Sequence, residues 1–341
     1  MAEGLNWSIA TWVGFNALLA VALIFDLFVL QRKDHVVTIR ESLLKSLLWT
    51  AVAAGVGAWI FLEKGNQAGG EYVTAYVIER ALSIDNLFVF LVIFAYFKVP
   101  REYQARALTL GILGALATRA LFIVAGVAAI SAFKPVLYIL GAFLIFTAIR
   151  IAVSHNKEVD PGKNLIFRLA KRFFRVTDRY EGHNFFTVEN GVRVLTPMLL
   201  VVLVIESTDV VFAIDSVPSV LAITTDGFLV WSSNTMAVLG LRPLYFVLAG
   251  MVKLFRYLQY GLAVILAFVG AKMIFNEATE QFDFGFHLDK SVETYGSLGV
   301  ILLVLAVSVL MSKLIPFKKA AAEHRAPEAA PGGAPAGGAD H

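Results

Sequence analysis

The stretch VVLVIESTDVVFAIDSVPSVLAIT, residues 201–224, sets Glu206, Asp209 and Asp215 inside a run otherwise long and apolar enough to cross a bilayer. A second stretch, ERALSIDNLFVF at 79–90, places Glu79, Asp85 and Asn86 in the same setting. A charged residue at the centre of a membrane helix costs about 2.5–3.5 kcal/mol on insertion scales, so such groups are kept where they bind, pair or move charge. Glu206 and Asp209, three apart, share one helical face, and Glu79, Ser83 and Asn86, four and seven apart, share another. Asp215 lies about 180° from Glu206 on an ideal helix. The three carboxylates of 201–224 therefore converge only if the helix breaks. Pro218 supplies a reason, because it removes the hydrogen bond to the Ile214 carbonyl and would free oxygen ligands near 214–215.

The available donors are all oxygens: these carboxylates, the amides of Asn86 and Asn234, and the hydroxyls of Ser83, Ser207, Thr208 and Ser216. The chain has no cysteine, and His35, His155, His183 and His287 fall between the apolar runs. Such a set suits a hard cation such as Mg²⁺, Ca²⁺ or Mn²⁺, whereas zinc and copper recruit imidazole or thiolate. Setting Asp26, Glu79, Asp85, Glu206, Asp209 and Asp215 against Arg80, Arg119, Arg242 and Lys272 leaves two negative charges over, the charge of one divalent ion. Two other readings stay open at this point. The acids could pair with the arginines and only hold helices together, or they could carry protons or monovalent ions.

The elements that must position these groups follow from composition: 58% hydrophobic and 16% charged residues, with mean hydropathy +0.73, belong in a bilayer. Apolar runs near 7–30, 43–62, 72–97, 106–130, 134–153, 195–224, 228–251, 257–275 and 295–315 predict an all-α polytopic membrane protein of nine transmembrane helices. The first run has no basic leader and carries Glu3, so it is read as a retained helix rather than a signal peptide. Basic residues flank alternate loops: Arg32, Lys33, Arg40 and Lys45; Lys98, Arg101 and Arg106; nine across 150–193; Lys253 and Arg256; then Lys313, Lys318, Lys319 and Arg325. The opposite side carries only Lys64, Lys134 and Lys290. The positive-inside rule then puts the N-terminus outside and the C-terminus in the cytoplasm.

The transmembrane domain is expected over 1–316, and the Ala/Pro/Gly-rich tail 317–341 is expected to be disordered and cytoplasmic. Within the loop 154–194, NLIFRLAKRFFRVTD (164–178) predicts an amphipathic helix resting Ile166, Ala170, Phe173 and Phe174 on the inner membrane surface. FFTVENGVRVL (185–195) predicts a hairpin turning at Asn190-Gly191. Glu277, Glu280, Asp283, Asp289 and Glu293 crowd the last outer loop, either as a solvated acidic loop or as a cation-attracting vestibule.

An internal repeat organises the spans. SIDNLFVF (83–90) lies over STDVVFAI (207–214), RALFIVAG (119–126) over RPLYFVLAG (242–250), and YILGAFLIFTAIR (138–150) over YGLAVILAFVGAK (260–272), at offsets of 124, 123 and 122. Repeat 1 covers about 72–153 and repeat 2 about 195–275, spans 3–5 and 6–8. Three helices is an odd number, so the copies cross the membrane in opposite directions, the inverted-repeat architecture of secondary transporters with substrate held near the midplane. Arg119 and Arg242 fall on each other and are expected to neutralise carboxylates when no cation is bound.

The sequence resembles the TerC family of bacterial and plastid integral membrane proteins over roughly 7–315, through ERALSIDNLFVF (79–90), RFFRVTDRYEGHNFF (172–186), ESTDVVFAIDSVPSVLAIT (206–224) and SSNTMAVLGLRPLYF (232–246). The resemblance implies a nine-helix inner-membrane protein linked to manganese efflux and tellurium resistance, some members delivering manganese to exported metalloproteins. The family's acidic motif falls on Glu79, Asp85, Glu206, Asp209 and Asp215, and Asn86 and Asn234 also match. Pro243 departs from the small hydroxyl residue expected after the arginine, and nothing functional carries onto the tail. The expectation is a Mn²⁺ exporter, not an enzyme, with no prosthetic group and no nucleic-acid partner. Its site would lie between the third and sixth spans, and the same carboxylates could return protons. The alternative is a non-transporting platform that recruits protein partners through the basic loop for metal delivery or a metal-stress complex.

Overall fold

The computed structural model describes residues 6–28, 38–153, 161–177, 179–182, 184–189, 191–251, 257–282 and 289–314. Arg32, Lys33, His35, His155, Lys157, His183, Asn190, Lys253, Arg256, Asp283, His287 and the expected tail 317–341 lie outside the described residues.

Among the described residues ten α-helices run in chain order: α1 (Ile9–Phe28), α2 (Ile39–Tyr96), α3 (Arg101–Ala132), α4 (Val136–Val153), α5 (Leu165–Phe173), α6 (Pro197–Leu221), α7 (Gly227–Leu239), α8 (Leu241–Met251), α9 (Leu258–Phe282) and α10 (Lys290–Leu314). Among the described residues, six helices are long and apolar enough to cross a membrane: α1, α3, α4, α6, α9 and α10. The chain is an all-helical, multi-pass membrane protein. The described residues also form a hairpin, β1 (Phe186–Glu189) on β2 (Val192–Leu195), antiparallel with Phe186 opposite Leu195 and Glu189 opposite Val192. Gly191 turns it with φ 77°, the region that a Cβ disfavours.

Two elements differ from a simple rod. The apolar runs 43–62 and 72–97 join in α2 through GNQAGG, and the chain turns at Gly65, where φ is 84° and ψ −178°. The two limbs then lie side by side, since the Tyr72 hydroxyl donates to the Ala53 carbonyl at 3.0 Å. The run 228–251 is divided. Asp226 caps α7 by accepting from the Phe228 and Leu229 amides at 3.0 Å each, α7 ends at Gly240, and α8 starts at Leu241. Pro243 thus falls in the first turn of α8, where its missing N–H costs nothing.

By contrast α6 runs unbroken through Pro218. The expected break there is not present, so Asp215 stays on the far side of the helix from Glu206.

Packing joins the two halves of the chain. α4 lies most extensively on α9, α2 on α7 and α8, and α3 on α6. Gly141 and Gly270 let α4 and α9 approach to backbone contact: a Cβ on Gly270 would sit 2.7 Å from the Gly141 carbonyl oxygen. Ile205, Val201 and Leu200 of α6 share a core with Leu87 and Phe90 of α2 and Leu108 and Ile112 of α3.

Candidate functional site

The acidic residues separate into groups. At the centre, Arg119 of α3 is fully buried and its Nη1 donates to Glu79 Oε1 of α2 and to Asn234 Oδ1 of α7, the latter at 3.3 Å. Its Nη2 stands 3.8 Å from Asp209 Oδ1 of α6. Glu79 and Asn234 are fully buried and Asp209 is 2% exposed. Around this guanidinium several buried polar atoms lack a hydrogen-bond partner: Glu79 Oε2, Ser83 Oγ, Arg119 Nε and Nη2, Asp209 Oδ2 and Asn234 Nδ2. Buried polar groups are normally satisfied, and each orphan costs about 1–3 kcal/mol. A cluster of them calls for a partner that changes. The unpartnered carboxylate oxygens suit a cation, and the amide nitrogen of Asn234 suits an acceptor or water.

Asp85 and Asp215 form a second group, within electrostatic reach of each other. The Thr147 hydroxyl of α4 donates to Asp215 Oδ1 at 3.1 Å, and Arg150 lies within electrostatic reach. Asn86 is buried one turn from Ser83 on α2. Glu206 is half-buried, close enough to Asp209 to feel its charge, with its carboxylate seated on α3 where Gly114 has no side chain. A Cβ at Gly114 would collide with all three carboxylate atoms. Glu206 and Asp209 share a face of α6 but meet different neighbours on it.

Three expectations need correction. Glu206, Asp209 and Asp215 do not converge, because α6 does not break at Pro218. Among the described residues no three acidic or histidine side chains come close enough to hold a metal ion. The position between Glu79 and Asp209 is filled by Arg119 itself. Arg242 neutralises a carboxylate as expected, but not a central one: its Nη1 pairs with Asp26 Oδ2 of α1 at 3.0 Å and donates to Thr109 Oγ1 at 3.3 Å.

The charge tally also changes. Arg80 donates to the Ala237 carbonyl at 2.9 Å and to Ser46 Oγ at 3.3 Å, so it serves the α7–α8 break, and Gly240 leaves room for its guanidinium. Lys272 pairs with Glu293 at 3.0 Å and donates to Ser297 Oγ at 2.7 Å. Neither neutralises the acids counted against it. Sequence reasoning also missed Thr147 and Gly114, whose only signals are a small polar residue and a glycine inside apolar runs.

Glu277, Glu280 and Glu293 line a cavity of about 820 Å³ with Glu71 and Asp226. Lys64, Lys272 and Lys290 also line it. Three of the five acids expected on the last loop thus share one concavity; Asp289 does not line it, and Glu280 is exposed to solvent as well.

The description "Integral membrane protein TerC family" matches residues 64–320. The chain belongs to the TerC family. A Myxococcus xanthus protein described as the uncharacterized membrane protein STKORF319 is 46% identical over 262 residues, 77% of this chain and 82% of that protein. An Escherichia coli K12 protein named as a candidate membrane-bound redox modulator, Alx, is 37% identical over 316 residues, 90% of this chain and 95% of that protein. A Rickettsia bellii membrane protein, uncharacterized, is 35% identical and covers 89% of this TerC chain and 96% of its own length. No solved structure matches this TerC chain.

Proposed function

We propose that this TerC protein exports Mn²⁺ from the cytoplasm through an all-oxygen site between two inverted repeats, in a nine-span topology with the N-terminus outside and the C-terminus in the cytoplasm of the cell that bears it in its inner membrane. The observation that carries the reading is Arg119, a fully buried guanidinium held between Glu79 of repeat 1 and Asp209 of repeat 2 amid unpartnered polar atoms. The arginine supplies the positive charge that the site needs while no ion is bound. A divalent ion that displaced it would meet Glu79, Asp209 and Asn234 at once, with Ser83 and Asn86 one and two turns along α2. Asp85 and Asp215, with Glu206, provide carboxylates on either side of that point for the ion's approach or for protons moving the other way.

The repeat has support in the packing. First helices lie on the partner repeat's second helices, α2 on α7–α8 and α3 on α6, and third lies on third, α4 on α9. Exchange of the two repeats maps this set of contacts onto itself, as any two-fold pair of repeats requires. Hard oxygen donors favour Mn²⁺, Mg²⁺ or Ca²⁺. The choice of manganese rests on the family resemblance.

A redox role, which the name of the Escherichia coli relative suggests for that protein, has no thiol to work through in these 341 residues, since none is cysteine. A partner-recruiting platform gains some support from Phe173, Phe186 and Val188, exposed beside the basic residues of 168–193. Purified protein in liposomes separates these readings. Mn²⁺ flux driven by its own gradient, without other proteins, is the expected result, and absence of flux for every divalent cation tried rejects transport. The topology is checked by single cysteines added to a chain that has none: position 290 should label from outside on intact cells, and labelling only after permeabilisation rejects the orientation.

A further inference from the structure

We propose that Asn164 is a positioning residue of the candidate site, heading a lid, Pro161–Phe173, that closes the site from the side of the membrane bearing the basic residues. This rests on the transport reading above. The Asn164 side chain does two things. Its Oδ1 caps α5 by accepting from the Ile166 amide at 2.9 Å and the Phe167 amide at 3.2 Å, and its Nδ2 donates to Ser207 Oγ at 2.9 Å. Ser207 sits between Glu206 and Asp209 in sequence and spends its own proton on the Val204 carbonyl at 2.9 Å, so it receives the amide through a lone pair. The roles of donor and acceptor are therefore fixed at both ends.

Depth makes this contact informative. Ser207 is ten residues beyond the start of α6 at Pro197, about 15 Å along the helix at 1.5 Å per residue. A loop segment thus reaches well into the bundle and touches the acidic stretch itself. Phe167 and Ala170 are buried in the same core as Val201, Val204 and Ile205. The Phe167 ring also meets Phe97 at 5.3 Å and Tyr96 at 6.2 Å, at the end of α2, the helix that carries Glu79 and Asp85. Tyr180 donates to the Phe97 carbonyl at 2.9 Å, and burial pushes its hydroxyl up to about 12, so it keeps that proton at any working pH. One short segment therefore bridges the first helix of each repeat.

A nine-residue helix does not hold itself together in isolation, so α5 relies on its cap, on the buried Phe167 and Ala170, and on the turn before it, where Pro161 is buried. Ile166, Leu169 and Phe173 remain exposed on its other apolar flank, where they are free to follow the bilayer when the segment moves. Alternating access requires a closure on each side that opens in turn, and a neutral amide–hydroxyl bond on the flank of α6, about 100° around the helix from Glu206 and about 80° from Asp215, is a closure of low cost.

Two measurements test the lid. In a chain without cysteines, Asn164→Cys combined with Ser207→Cys can be bridged by a short reducible thiol cross-linker. Mn²⁺ flux should fall at least tenfold on bridging and return on reduction, and bridged protein carrying flux at the reduced rate overturns the proposal. The second measurement does not depend on transport. With Ser207→Cys as a lone thiol, Asn164→Asp keeps the helix cap but loses the donor, and labelling by an impermeant reagent from the basic side should quicken about fivefold, the change one lost neutral hydrogen bond allows. An unchanged labelling rate overturns the lid. Faster labelling in a protein whose unmodified form moves no cation would instead reject transport and leave the lid standing.

Discussion

Arg119 and Arg242 fall on each other when the sequence 119–126 is laid over 242–250, yet the structure treats them differently. Arg119 lies in the middle of the unbroken α3, with no exposed surface, between carboxylates of α2 and α6 and among unpartnered atoms. Arg242 lies in the first turn of α8, just after the chain breaks at Gly240, and pairs with Asp26 of α1. A cation at a helix N-terminus opposes the helix dipole, so Arg242 needs a nearby acid to be stable there. Glu41 is also within electrostatic reach of Arg242, and Lys45 of Asp26. Arg242 is held in an ion-pair network with Asp26, whereas Arg119 stands among buried atoms that have no hydrogen-bond partner. Sequence similarity alone gives the two arginines the same meaning.

The largest expected difference between them comes from truncation. Arg119→Ala strands Glu79 and Asp209 as buried charges and should cost about 3–5 kcal/mol of stability. If the site accepts a divalent cation, added Mn²⁺ should restore much of that loss, since an ion at a hundred times its dissociation constant stabilises by about 2.7 kcal/mol. Arg242→Ala should lose stability without regaining it from Mn²⁺. Thermal unfolding in detergent with and without the ion reads both, and equal Mn²⁺ responses would make the two arginines equivalent.

A step smaller is neutralising one acid in each pair. Asp209→Asn leaves Arg119 bonded to Glu79, so the protein should accumulate normally while Mn²⁺ flux per folded molecule falls at least tenfold. Glu79→Gln removes the closer partner and should lower both flux and accumulation. Asp26→Asn should lower stability by about 1–3 kcal/mol, the cost of an imperfectly paired buried group, with flux per folded molecule near that of the parent. Normal flux in Asp209→Asn together with poor accumulation would make the central acids helix glue after all.

These comparisons show which parts of the molecule the sequence discloses. Apolar runs, the Asn190-Gly191 turn signal and carboxylates inside membrane-length segments are local features, so the helices, the hairpin and the candidate residues could be read directly. Partner choice is not local. Lys272 falls on Arg150 when the sequence 260–272 is laid over 138–150, but it turns to Glu293 of α10. Arg80 stands beside Glu79 yet bonds a backbone carbonyl in the last turn of α7, where the helix ends before Gly240. Pro218 looked like a break because proline removes a helix hydrogen bond, but the helix geometry persists through it in a tightly packed stretch where 216–221 are all buried. The amphipathic segment shows the same limit: the face expected on the membrane is shared, with Ala170 turned into the protein beside Phe167 and Phe173 left exposed.

Gly114 offers a milder perturbation of the central region. The atoms that a Cβ would strike belong to the far end of the flexible Glu206 side chain, so Gly114→Ala should cost little stability. It must displace the carboxylate, though, and flux should fall several-fold if Glu206 takes part. Gly55, with open space around its Cα, is the control: Gly55→Ala should leave both properties alone. Equal effects at the two glycines would show that the seat of Glu206 does not matter.

The smallest test concerns the neutral acceptors, Asn234 for Arg119 and Thr109 for Arg242, each 3.3 Å from its guanidinium. Both accept one hydrogen bond from the arginine, so a purely structural view predicts similar costs on removing them. The burial of their surroundings predicts otherwise. Asn234 is fully enclosed and its Nδ2 has no partner, so the amide is held for more than the bond that Oδ1 accepts. Asn234→Ala should reduce flux about fivefold or more while costing about 1 kcal/mol in stability, because the orphaned nitrogen disappears along with the lost acceptor. Thr109→Val keeps the shape of the side chain and should cost up to about 1.5 kcal/mol, with Mn²⁺ flux unchanged. The pair of measurements turns on flux rather than stability, because stability alone cannot separate a ligand from a brace. Should Thr109→Val reduce flux as much as Asn234→Ala, Arg242 would belong to the working site, and the repeat would carry two equivalent charge switches instead of one.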